Sequence, residues 1–111
     1  MLPLDFRASC ITMYYIMIVV ETLIWDTWNV AHIALHALGP EEVEEVCQGD
    51  FWASETYGGR LRIVGPDVSG NLLTIILAPQ QEPGVYYVVT ARSAARKERR
   101  RYRELKGGEH G

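Results

Sequence analysis

Basic side chains crowd the end of this chain. The stretch TARSAARKERRRYRELK, residues 90–106, holds eight of its eleven Lys and Arg residues. Cations at that density suit phosphates or carboxylates, and Arg can grip a phosphate through two parallel N–H bonds where Lys offers one point charge. Arg60 and Arg62 stand two apart in GGRLRIV. His32 and His36 stand four apart, a spacing that lets two imidazoles share a metal from one helical face. No Glu occupies position 33, however, and a third ligand would have to be Cys47 or Asp50, so ordinary histidines and no metal are expected. No Ser or Cys nucleophile motif is present. Gly58-Gly59 and GPDVSG are turns rather than phosphate cradles, because neither precedes a helix. Trp25, Trp28 and Trp52 read as core and helix-packing residues rather than as platforms for stacked bases.

The elements that must position these groups can be read in order. IVVETLIW (18–25) is β-branched and apolar, a strand. Asp26 supplies an N-cap oxygen for a helix over 27–38, with Val30, Ile33, Ala34 and Leu38 at helical spacing, closed by Gly39. Pro40 opens the next helix at its first position, and Glu41 and Glu42 face the positive end of its dipole. Val43, Val46 and Cys47 share one face of that helix. The two helices are expected to form a short hairpin. From Phe51 the period changes to two: FWASETY and RLRIV flank Gly58-Gly59 as a β-hairpin, with Arg60, Arg62 and Val64 on one face and Leu61 and Ile63 on the other. LLTIILA (72–78) is nearly continuous hydrophobe, as an interior strand covered on both sides should be. VYYVVTA (85–91) is another strand, with Tyr86 and Tyr87 on opposite faces. Helix-forming residues then run from Ser93, the expected N-cap. The expected fold is α+β: an antiparallel sheet of about four strands with an N-terminal helical hairpin and a C-terminal basic helix packed on it.

The terminal helix is not basic all round. Ala95, Glu98, Tyr102 and Leu105 form a narrow stripe suited to docking, and Arg96, Lys97, Arg99, Arg100, Arg101 and Arg103 surround it. A solvated helix end would explain such cations taken alone. It does not explain why residues 1–90 carry three basic residues against eleven acidic ones, a net of −8, while residues 91–111 carry eight against three, a net of +5. That dipolar layout within a chain of net charge −3 points to a phosphate or acidic partner at one end.

The 111 residues suffice for one domain and one core. Cys10 and Cys47 make no disulfide framework, in keeping with a reduced, cytoplasmic protein. CITMYYIMIVV (10–20) is too short to span a bilayer and lacks the flanks of a signal peptide. Residues 1–16 are read as a dispensable leader, 17–106 as the domain and 107–111 as a flexible tail.

The order of these pieces resembles a known family. WD (25–26) ends a strand and leads into a helix with a His near its end, and PEEVEEV (40–46) follows. GGRLRIVG (58–65), a hydrophobic strand and VVTARSAARKERRRYRE (88–104) complete the series. This looks like the BrnT family, ribonuclease toxins of bacterial toxin–antitoxin pairs with a RelE-like fold, over about residues 18–106. The C-terminal block is the most specific part.

The resemblance implies RNA cleavage without a metal or small-molecule cofactor, held in check by a cognate antitoxin protein, with no membrane partner. A ribose 2′-hydroxyl attacks the adjacent phosphorus, and fixed guanidinium donors stabilise the charge that grows on the phosphate oxygens. Position by position, it assigns catalytic roles to His36, Arg60, Arg92 and Tyr102. Arg60 and Arg92 would contact phosphate, and His36, with a reference pKa near neutral, would transfer protons. Arg62, Arg96, Lys97, Arg99, Arg100 and Arg103 would bind RNA or the antitoxin. The alternative is a binding module for RNA or antitoxin that keeps the fold without the nuclease activity.

Overall fold

Hydrophobic strands paired side by side make up most of the architecture. The computed structural model describes residues 18–107, so the expected leader 1–16 and residues 108–111 of the expected tail lie outside the described residues. The elements are β1 (Thr22–Ile24), α1 (Thr27–Ala34), α2 (Pro40–Cys47), β2 (Trp52–Thr56), β3 (Arg60–Pro66), β4 (Leu72–Pro79), β5 (Val85–Ser93) and α3 (Arg96–Tyr102). A π-helical turn over Arg103–Gly107 follows α3. The fold is α+β, and the described residues form five strands in the order β1-β5-β4-β3-β2 and three helices.

Two parts of the expected architecture need correction. Among the described residues the sheet has five strands rather than about four, because Thr22–Ile24 joins its edge parallel to Val85–Tyr87. This strand is three residues long, shorter than IVVETLIW suggested. The amides of Glu21 and Thr22 both donate to the Gly84 carbonyl as it begins. The helical hairpin is not formed either. α1 packs chiefly on β5, and α2 on β3 and β4, so each helix is held by the sheet.

The sequence of α1 explains its placement. Asp26 caps it, its carboxylate accepting from the Asn29 amide at 2.9 Å, and the Asn29 side chain accepts in return from the Asp26 amide at 2.8 Å. Asn29 is fully buried and its Nδ2 donates to the Ile24 and Val88 carbonyls, both at 3.0 Å. One side chain thus closes the helix cap and ties α1 to β1 and β5. The helix stops at Ala34, short of Leu38, because the chain turns there. The Leu38 amide reaches back to the Ile33 carbonyl and the Ala37 amide to the Ala34 carbonyl, with Ala37 at φ 62°. That is a Schellman closure with alanine at the position where glycine is most at ease.

One face of the sheet meets α1 and α2 in the main core, where Ile33, Val43, Val46, Ile63, Ile75, Leu77 and Val88 are fully buried. Val43, Val46 and Cys47 face this core as expected. Gly65 permits the closest approach: a Cβ there would lie 3.0 Å from Phe51 Cβ and 3.2 Å from Val46 Cγ1. Burial first, and the Glu44 carboxylate second, push the Cys47 thiol up to about 12. A register shift between β4 and β5 pairs Ile76 with Thr90 and Leu77 with Val88. This bulge lets Val88 and Ala91, three residues apart, both join the core, while Arg92 shares the opposite face with its neighbour Thr74.

Candidate nucleic-acid interface

The second face of the sheet is where the charge gathers. Helix α3 crosses it at β3, and the residue that seats the helix is Glu98, 9% exposed. Arg92 at the end of β5 donates Nη1 to Glu98 Oε1 at 2.8 Å and Nη2 to Oε2 at 3.0 Å. The Thr74 hydroxyl and the Ala95 amide also donate to Oε1, each at 2.8 Å, and Arg62 Nη1 stands 3.8 Å from Oε2. The Arg92 fork, then the Ala95 amide and the Thr74 hydroxyl, outweigh burial and hold this carboxyl down to about 2. β5 runs on to Ser93, which pairs with Leu73, so the N-cap is Ala95 rather than Ser93. The Glu98 carboxylate serves the cap amide in place of a hydroxyl.

Beside this node lies a groove of about 520 Å³, lined by Trp52, Ser54, Glu55, Arg62, Lys97, Glu98, Arg100, Arg101 and Glu104. The guanidinium of Arg62, from β3, stands 5.7 Å from the Trp52 ring centre, and that of Arg101, from α3, stands 5.8 Å from it. Both are within cation–π range. Lys97, Arg100 and Arg101 enter no ion pair among the described residues, so their charge is available to a ligand. Ser54 and Arg62 are paired across the hairpin. The buried Ser54 Oγ and Arg62 Nε have no hydrogen-bond partner among the described residues.

A second cavity of about 690 Å³ adjoins the first. It is lined by Ile18, Gly49, Asp50, Phe51, Trp52, Ala53, Ser54, Arg101, Leu105 and Lys106. A clasp borders it: Tyr102 donates its hydroxyl to the Asp50 carbonyl at 2.6 Å, and Lys106 Nζ pairs with the Asp50 carboxylate at 2.8 Å.

The residues expected to be catalytic are not gathered at one point. Arg92 is committed to Glu98. Arg60 is exposed at the start of β3 and borders neither cavity beside Trp52. Tyr102 is bound to Asp50, and burial first and the Asp50 charge second raise its phenol above the ordinary value, so it remains a proton donor at neutral pH. His36 follows α1 and lines a separate cavity of about 490 Å³ with Arg99 and Arg103. Of the cations expected to bind RNA or antitoxin, Arg62, Lys97 and Arg100 meet in the Trp52 groove. Arg99 donates to the Ala94 carbonyl at 2.7 Å, and Arg96 is exposed.

Trp52, Glu55, Arg101 and Glu104 join the groove beyond the residues that the sequence points to. The sequence reads Trp52 as a packing residue and Arg101 only as one of the cations around the stripe of the terminal helix. The alternation of β2 and β3 carried the signal, because the register that pairs Trp52 with Val64 puts Trp52 on the face of Arg62. The other tryptophans differ in kind. Trp25 Nε1 donates to Glu44 at 3.0 Å. Trp28 is 61% exposed and stacks on His32, ring centres 4.9 Å apart. The docking stripe also ends early, since Leu105 is 50% exposed.

Among the described residues no group of three or more His, Cys, Asp or Glu could hold a metal, and no helix is long and apolar enough to cross a membrane. No model of a known protein family matches the chain, and no curated protein matches it.

Proposed function

We propose that this protein acts on RNA as the toxin of a toxin–antitoxin pair of the BrnT type, in the cytoplasm, and that a single RNA strand enters the groove at Trp52. One observation carries this reading: an aromatic ring with guanidiniums from two different elements beside it, and two more free cations in the same groove. An unpaired base needs a flat apolar surface to stack on, and its phosphates need fixed positive charge. A duplex hides its bases, so the groove suits a single strand.

Cleavage in this groove follows metal-independent chemistry. The 2′-hydroxyl attacks the adjacent phosphorus, the bond to the 5′-oxygen of the next nucleotide breaks, that oxygen takes a proton from water and leaves as a 5′-hydroxyl, and a 2′,3′-cyclic phosphate forms. Arg101 faces the growing charge on the non-bridging oxygens, and Arg62 and Arg100 hold the neighbouring phosphate of the strand. Glu55 and Glu104 border the groove as carboxylates able to accept the hydroxyl proton. Glu98 is not suited to that task, since its oxygens are already filled by Arg92, Thr74 and Ala95.

The scatter of His36, Arg60, Arg92 and Tyr102 favours a second reading, in which the protein holds RNA or antitoxin without turnover. Incubation of the purified protein with RNA in EDTA separates the two. The nuclease reading expects cleavage that Arg101→Ala slows about a hundredfold. Intact RNA in the presence of measurable binding supports the module.

A further inference from the structure

Resting on the RNA reading above, we infer that the unit recognised is a dinucleotide step, with one nucleoside in each of the two cavities that meet at Trp52 and the bridging phosphate on Arg101. Three residues, Trp52, Ser54 and Arg101, line both cavities and form the wall between them. The volumes of about 520 and 690 Å³ each lie in the range of small-molecule sites.

The two sides differ in chemistry. The first carries Arg62, Lys97 and Arg100 and suits a base stacked under cations with its outer phosphate. The second is bordered by Ile18, Phe51 and Leu105, and its Lys106 is already paired with Asp50, so it offers an apolar seat with little free charge. A base fits there and a second phosphate does not. Arg101, on the shared wall and without an ion pair among the described residues, is the cation placed to hold the one phosphate between two nucleosides. The clasp of Tyr102 and Lys106 on Asp50 fixes the turn that carries Leu105, and so sets the width of the second cavity.

The test is competition against a fluorescent single-stranded RNA. The competitors are adenosine monophosphate and the 2′-O-methylated dinucleotide ApA, which cannot cyclise. The dinucleotide should displace the probe at a concentration at least tenfold lower, although it carries less charge than the mononucleotide. Leu105→Glu, a change at a half-exposed position, should erase that advantage and leave the mononucleotide unaffected. If the probe binds and the two competitors are equal, the dinucleotide site is wrong and the RNA reading stands. An advantage that survives Leu105→Glu also overturns the site, since the second nucleoside then lies elsewhere. If the probe does not bind, the RNA reading fails and the inference with it.

Discussion

Arg92 closes its guanidinium fork on Glu98, with both N–H···O contacts at or under 3.0 Å. The arginine at the heart of the chain's most recognisable block therefore anchors the terminal helix to β5. The cations left for a partner are those that α3 turns towards Trp52, and the node beneath them fixes where they stand. Glu98→Gln leaves Arg92 half-buried without its counter-charge, and should cost about 3 kcal/mol at neutral pH by urea unfolding.

That cost should depend on pH. A carboxyl held down to about 2, against an ordinary 4.5, contributes stability that is complete above pH 4.5 and fades as pH falls towards 2. The difference in unfolding midpoint between the protein and Glu98→Gln should narrow over that window. A constant gap would mean that the carboxylate is not the source.

Asn29 should be the costliest polar residue to remove from α1. Asn29→Ala strips a donor from two carbonyls and an acceptor from the cap amide, and should lower stability by about 3 kcal/mol. Denaturant unfolding measures it.

Ala37→Gly should do the reverse. Its φ of 62° is left-handed, where a Cβ costs about 1 kcal/mol, so removing that carbon should raise stability by about that amount. A loss in thermal unfolding would contradict the Schellman closure.

Much of this was legible in the sequence, and the reasons are physical. Pro40, Glu41 and Glu42 mark the start of α2 by local chemistry, and its bounds follow. The period of two through β2 and β3 gives the hairpin and its faces, and the nearly continuous hydrophobicity of LLTIILA marks the central strand. What could not be read is set at long range. The parallel pairing of β1 with β5 joins segments about sixty residues apart. A bulge in β5 breaks the alternation that would have assigned Val88 and Ala91 to opposite faces. Nor does helical spacing reveal that Glu98, a charge, would be the buried member of its stripe. That depends on Arg92 and Thr74 arriving from two strands.

Binding of RNA against Trp52 is measured most directly as the affinity of a fluorescent single-stranded RNA for three proteins at two salt concentrations. The native chain should bind, more weakly at the higher salt. Trp52→Ala should lose about five- to a hundredfold, the worth of one stacked base, and His36→Ala, in a separate cavity, should match the native chain. Equal affinity for native and Trp52→Ala, with both proteins folded by circular dichroism, would mean that RNA does not bind against Trp52.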